Sequence, residues 1–403
     1  MRIVLATYGS RGDVQPLLAL ALGLGVRGHR VTLAGPPEWQ SRATSLGIPY
    51  TRLGSDVSAF LGKVEAAHSL KAALAFRELV LAETRMQFKH LPDMIHGAEL
   101  VVGASLCLAL PSVAQALAIP YRYLLLTPQM LPSGAHPCPI FRRQNLPAWA
   151  NRLGWRLDML LQKLDLLPTL NRHRRRLGLS PLNQYWGHLL GEHPILACDA
   201  DLAPVPADVM RPVAQTGYLH LEGATRLSAE EEIWLAAGPR PLYAGFGSMP
   251  PKDGRRWIPM VVAAARALGQ RLVLKVEERY RPFLPQGQDL LMGTNFPHGA
   301  LFPKMRAGIH HGGAGTTAAV ARSGVPQIIV PHILDQYYWA ERIHRLGLGP
   351  APIWRAKLTR QRIQQAMTAC IGDADMVRRA ADLRARIQRQ SPIAAAIQAL
   401  TTG

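Results

Sequence analysis

The chain has 403 residues, 48% of them hydrophobic, more than one core of ordinary size would use, which suggests two domains of about 100–200 residues each. Every long apolar stretch is broken by Gly, Pro or charge, and Met1 to Leu20 lacks a leader pattern, so no transmembrane helix or signal peptide is expected and the chain reads as cytoplasmic. A formal net charge of +19 asks for an anionic partner, while four scattered cysteines, Cys107, Cys138, Cys198 and Cys370, without a Cys-x-x-Cys pair, argue against a disulfide framework or a zinc site.

In chain order, Arg2 to Thr7 and Arg30 to Ala34 are β-rich runs separated by an apolar helical stretch, Val14 to Arg27, and together predict a βαβ unit. Leu100 to Ala104 and Tyr121 to Leu126 repeat the theme around Leu108 to Ala118, so a parallel, doubly wound sheet is the economical reading. Between Phe141 and Leu190 nine Lys or Arg stand against two Asp, and Leu153, Leu157, Leu160, Leu161 and Leu164 recur at helical spacing near Trp149 and Trp155. That stretch reads either as a packed helix with a solvated charged side or as a basic helix lying on an anionic membrane. Basicity without a recognition motif gives no reason to expect nucleic acid.

The Gly217 to Pro241 segment, where Pro239 and Pro241 bracket Arg240, marks the domain boundary. Beyond it the pattern restarts: strand Leu242 to Phe246, helix Trp257 to Leu268, strand Arg271 to Val276, strand Ala307 to His310, a helix, strand Gln327 to Val330, another helix, and a helical tail from Thr359. The expected organisation is residues 1–220, 240–385 and a last helical segment, 386–403.

Within the second domain, Gly308-Ile-His-His-Gly-Gly-Ala-Gly-Thr-Thr317 reads as a buried strand breaking into a glycine turn that opens a helix. Glycines 312, 313 and 315 let the backbone approach an anion, and the free amides and positive dipole end of the helix favour a phosphate. After the next strand, Val325 to Pro331, comes Asp335-Gln336, at the edge where open α/β sheets bind ligands.

These motifs resemble the nucleotide-sugar signature of UGT-like inverting glycosyltransferases of the GT-B fold, closest in pattern to bacterial enzymes that glycosylate natural products, sterols and lipids. Met1-Arg-Ile-Val-Leu-Ala-Thr-Tyr-Gly-Ser-Arg-Gly-Asp-Val-Gln-Pro16 looks like the acceptor-domain opening of that family, and Phe246-Gly-Ser248 and Phe296-Pro-His298 fit its donor domain.

The resemblance implies two doubly wound Rossmann-like domains facing a cleft, with residues 1–220 binding the acceptor, 240–385 the donor, and the last helix returning to the first domain. It implies Asp13 as the base, although Asp before an apolar helix is also a preferred N-cap. Ser248, His311, Gly313, Gly315 and Thr316 would line the donor diphosphate, Asp335 and Gln336 the sugar, and Phe296 and His298 the nucleoside, whereas His310 reads as strand packing. No cofactor or metal is implied. Asp199-Ala-Asp201 and Asp373-Ala-Asp375 match the Asp-x-Asp metal pattern of another fold, but neither follows a convincing strand. The expected reaction is transfer of a hexose from a UDP- or dTDP-sugar to a hydroxyl of an apolar small molecule or lipid, with inversion. The rivals are a nucleotide-sugar epimerase or hydrolase of the same architecture and a non-catalytic accessory partner.

Overall fold

The computed structural model describes residues 1–57, 70–221, 226–246 and 254–401. Its first sheet comprises β1 (Arg2–Tyr8), β2 (Arg30–Gly35), β3 (Tyr50–Arg52), β4 (Leu100–Ser105), β5 (Tyr121–Leu125), β6 (Ile195–Leu196) and β7 (Ala214–Gln215). They lie in the order β3-β2-β1-β4-β5-β6-β7, with every pair parallel.

Alternation along β1 explains the layering. Ile3 and Leu5 pack with Leu17 and Leu20 of the Arg11–Val26 helix, while Val4 and Ala6 join Phe88 and Leu91 of the Leu70–Ile95 helix on the other face. A strand buried on both faces reads as a continuous apolar run, as Ile3 to Ala6 does. Strand order reverses between β1 and β4, which opens a crevice at their carboxyl ends.

The second sheet comprises β8 (Leu242–Gly245), β9 (Leu272–Lys275), β10 (Leu290–Gly293), β11 (Ala307–His310) and β12 (Gln327–Ile329), all parallel, in the order β10-β9-β8-β11-β12. Leu242, Ala244, Leu272 and Leu274 face the Gly254–Ala267 and Arg360–Gly372 helices, and Tyr243 and Val273 face Phe296, Phe302 and Val320. Its reversal falls between β8 and β11.

The helical tail is three helices, Arg360–Gly372, Ala374–Ile387 and Pro392–Thr401. The last of them packs on the Arg11–Val26 helix, contributing Ala396, Ile397 and Leu400 to the first domain's core. The approach is so close that a Cβ on Gly23 would lie 2.3 Å from Ile393 Cγ2. All four cysteines are free and buried, and among the described residues no helix is long and apolar enough to cross a membrane.

Candidate active site

The two crevices face each other, with Arg11 bonded to Asn295 across them and Asp13 close enough to Asp335 to influence its charge. The helix after β1 begins at Arg11, not Val14, because Ser10 takes the N-cap position. Asp13 is therefore the third residue of the helix and not its N-cap; its part in capping is that of the third residue of a capping box, with its carboxylate on the Ser10 amide. Its Oδ2 accepts from the Ser10 amide at 2.7 Å and from Ser10 Oγ at 3.1 Å, and its Oδ1 accepts from Ser105 Oγ at 2.5 Å. A Cβ on Gly9 would stand 2.4 Å from Oδ2, so the carboxylate needs glycine there.

Ser105, at the end of β4, holds a left-handed backbone with φ 54°, and its carbonyl accepts from Tyr123 Oη at 2.8 Å. Sequence reasoning passed over it. Its only signal was its place at the end of an apolar strand, which becomes informative once β4 is known to neighbour β1. Burial raises the Asp13 carboxyl above its ordinary range, against the lowering effect of the Ser105 and Ser10 hydrogen bonds.

Across the cleft, β11 ends at His310 and the chain turns through Gly312 at φ 87°, where a Cβ would meet Ile329 Cγ2 at 2.6 Å. His310 is fully buried and orders the turn: its Nδ1 accepts from the Gly312 amide at 3.0 Å, which leaves Nε2–H for Gln327 Oε1 at 2.9 Å. The Ala314–Arg322 helix then starts at Gly313, which has no side chain to cap it, and among the described residues no side chain accepts from its first-turn amides. His311 lies over Gly313, with Nε2 2.5 Å from where a Cβ would be, and its Nδ1 is buried without a partner among the described residues. Thr316 stands in the first turn, and Gly315 makes room for Tyr218 Oη, 2.6 Å from its own missing Cβ. Ser248 lies outside the described residues.

Asp335 precedes the Gln336–Arg345 helix but does not cap it; instead its Oδ2 accepts from Trp339 Nε1 at 3.1 Å. Burial first, and the Asp13 charge second, push its carboxyl up to about 7. Leu334, just before it, adopts φ 48°, an uncommon conformation for a branched side chain. Gln336 is buried and its Oε1 accepts from the amides of His332 at 2.8 Å and Ile333 at 3.2 Å, so its carbonyl shapes the loop that carries Asp335.

The pair expected to meet the nucleoside separates. Phe296 is 1% exposed and sits in the core with Tyr243, Leu301 and Phe302, so its ring is not available to stack on a base. The apolar character that drew attention to it is core packing. His298 stacks on Phe302 at 4.6 Å and keeps a buried, unpartnered Nε2 among the described residues.

Two cations escaped the sequence reading. Arg11 reaches across the cleft, Nη1 to Asn295 Oδ1 at 2.9 Å. Lys275, the last residue of β9, stands beside Gly245, with no hydrogen bond or ion pair among the described residues, and burial pushes its ammonium down to about 8 with help from Arg11. Burial, then neighbouring positive groups including Lys275, holds His298 and His311 well below the ordinary histidine range, so both rings are neutral at pH 7. The donor edge is thus rich in N–H groups, with the carboxylates Asp13 and Asp335 beside it. Among the described residues no group of three His, Cys, Asp or Glu could hold a metal ion. Asp373 instead caps a helix through the Met376 amide, and Asp201 pairs with Arg386.

Two facing α/β domains with their sites at opposed switch points define the GT-B class of glycosyltransferases, and known structures and sequences agree. The glycosyltransferase VinC, solved in complex with dTDP, superposes with a TM-score of 0.74 over 100% of this chain and 99% of that one, at 18% identity, a likeness of fold. The model of the glycosyltransferase family 28 N-terminal domain matches residues 3–131, and that of the erythromycin biosynthesis protein CIII-like C-terminal domain matches residues 259–400. Glycosyltransferase GtfE of Amycolatopsis orientalis is 35% identical over 359 residues, covering 87% of this chain and 86% of its own length. The vancomycin aglycone glucosyltransferase of the same organism is equally similar, and the sterol 3-beta-glucosyltransferase UGT80A2 of Arabidopsis thaliana is 28% identical across 93% of this chain and 61% of its own length. The chain belongs to the UGT-like family of GT-B glycosyltransferases, and it is a hexosyltransferase using a nucleotide-sugar donor.

Proposed function

We propose that the enzyme transfers a hexose from a UDP- or dTDP-sugar to a hydroxyl of an apolar acceptor by a single inverting displacement. The observation that carries this reading is the half-buried Asp13 carboxyl, fixed by Ser105 and Ser10, opposite the helix N-terminus at Gly313. Asp13 takes the proton of the acceptor hydroxyl, whose oxygen attacks the anomeric carbon from the side opposite the leaving group. The bond from that carbon to the diphosphate oxygen breaks, and the diphosphate departs with its electron pair. Amides at Gly313 and Gly315, the hydroxyl of Thr316, and the N–H groups of His311, Lys275 and Arg11 receive the growing negative charge in a site already desolvated. Asp335 accepts two sugar hydroxyls, and the Gln336 amide nitrogen can add a third contact.

In this reading residues 1–220 hold the acceptor and 240–385 the donor, with 386–403 tying the second domain to the first. Relatives named for a vancomycin aglycone, a sterol and O-mycaminosyltylonolide support a small-molecule or lipid acceptor. The same reading places the enzyme in the cytoplasm with peripheral contact to an anionic membrane, where an apolar acceptor would partition. Incubation of the enzyme with UDP- and dTDP-hexoses against a panel of apolar hydroxylated acceptors, read by mass spectrometry, tests it: a hexose added to one class of acceptor supports the reading, and donor turnover with no acceptor product opposes it.

A further inference from the structure

The Ala148–Arg176 helix has two apolar faces, and only one of them is covered. Asn151, Gly154, Trp155 and Asp158 point into the first domain, where Trp155 packs edge-on to Trp186 at 5.5 Å. On the opposite side Trp149, Leu153, Leu157, Leu160 and Leu164 follow spacings of three and four, so they form a single stripe about 22 Å long. They are 69%, 58%, 47%, 52% and 70% exposed. Five large apolar side chains in a row, open to water, are more than the scattered exposure of an ordinary surface.

Charge decides what covers the stripe. Arg152, Arg156 and Lys163 line one flank, and Arg172, Arg175 and Arg176 are exposed toward the end of the helix. Both acidic residues of the helix have partners within the fold: Asp158 accepts from the buried Trp186 Nε1 at 2.7 Å, and Asp165 pairs with Arg77 of the neighbouring helix. Arg156 and Lys163 have no ion pair among the described residues, and Arg152 has one at 3.6 Å to Asp208. Arg174 leaves the surface set: it is 2% exposed and donates to Ser180 O, Ser112 Oγ and Gln115 Oε1. A second copy of this chain would bring cation rows against one another, whereas an anionic bilayer offers acyl chains to the stripe and phosphates to its flank.

We infer that this helix seats the enzyme on an anionic lipid surface, with the Trp149-to-Leu164 stripe at the acyl boundary and Arg152, Arg156 and Lys163 among the headgroups. This deepens the peripheral placement given above. The helix that carries the stripe lies near the cleft through its covered face: Trp155 meets His136, whose ring packs against Tyr338 of the second domain at 5.6 Å. A lipid-borne acceptor would thus be met beside the site that uses it.

The test is sedimentation of the full-length protein with vesicles of phosphatidylcholine containing phosphatidylglycerol, against phosphatidylcholine alone. Binding is expected to the anionic vesicles at low salt, fading as salt shortens the Debye length. Leu153→Gln with Leu157→Gln, and separately Arg152→Gln with Arg156→Gln and Lys163→Gln, should each weaken binding by about tenfold or more. Transfer to a water-soluble acceptor should persist in both variants, which shows that they are folded and separates this inference from the reading of the reaction. Wild-type protein that stays in the supernatant at low ionic strength overturns the inference, as do variants that sediment like wild type. Light scattering showing a dimer that the leucine substitutions dissociate, without vesicle binding, assigns the stripe to a second copy and also overturns it.

Discussion

Ser105 Oγ donates to Asp13 Oδ1 at 2.5 Å across 92 positions of sequence, from a backbone held in the left-handed region. The bond exists because β4 runs beside β1, which places the ends of the two strands at one crevice. It fixes the carboxylate that the proposed mechanism uses as base and opposes the rise that burial imposes on it.

Removal of that hydrogen bond as Ser105→Ala should lower kcat by about 10- to 100-fold, the range for a hydrogen bond to a charged group. The acidic limb of the pH–rate profile should move to higher pH, because Asp13 loses a bond that favours its ionised form. A purely structural role for Ser105 would lower stability and leave that limb in place, and a pH–rate series compared with wild type separates the two.

Asp13→Ala should lose about 10²- to 10⁴-fold in transfer rate, while the broken hydrogen bond to the Ser10 amide costs about 1 kcal/mol of stability. Activity measured alongside thermal unfolding checks both. A folded Asp13→Ala protein with wild-type turnover excludes Asp13 as the base.

Much of this site was legible because its parts are local. The glycine turn at Gly312, the apolar strand before it and the helix after it follow one another in the chain, and Asp13 follows β1 within five residues. What escaped was non-local. Ser105, Arg11 and Lys275 matter only once β4, the first domain and β9 are brought to the cleft, and neither Ser105 nor Lys275 lies in a motif. Strands β3, β6, β7 and β10 are two to four residues long, too short to show a period. Phe296 misled because an aromatic residue beside a ligand edge can belong equally to the core beneath it. The leucines of the Ala148–Arg176 helix had the spacing of a buried face and proved to be exposed, since spacing reports a face and not its cover.

The contrast between His311 and Asp335 tests the donor site. His311→Ala should weaken binding of UDP or dTDP itself, because its proposed partner is the diphosphate. Asp335→Ala should leave that affinity nearly intact and raise the KM for the sugar donor. Calorimetry with the free nucleoside diphosphates reads the difference, and a His311→Ala protein that binds both as tightly as wild type contradicts the assignment.

Asp335 also predicts a pH signature. Its carboxyl titrates at about 7 in the fold and near 4 when unfolded, so between those values the folded state holds a proton that the unfolded chain has released. Stability from this group therefore falls as pH rises from about 4 to 7. Asp335→Asn removes the slope and should be more stable than wild type at pH 8 by on the order of 1–2 kcal/mol, a figure reduced for partial solvent screening, with the difference vanishing near pH 4. Thermal unfolding of both proteins across this range checks the sign.

Gly312→Ala should destabilise the donor domain by roughly 1–2 kcal/mol for the left-handed backbone alone, with more from the 2.6 Å approach to Ile329 Cγ2. Nucleotide affinity should fall with it, since the turn positions the uncapped amides. Equal Tm and equal affinity would show that the turn tolerates a side chain.

The central claim, inverting transfer driven by Asp13, is tested most directly by the anomeric configuration of the product. With UDP- or dTDP-α-D-glucose as donor and an accepted hydroxyl compound, NMR of the isolated glycoside should show the β linkage. An α-linked product would mean retention, which a single displacement assisted by one base cannot give, and would contradict the account.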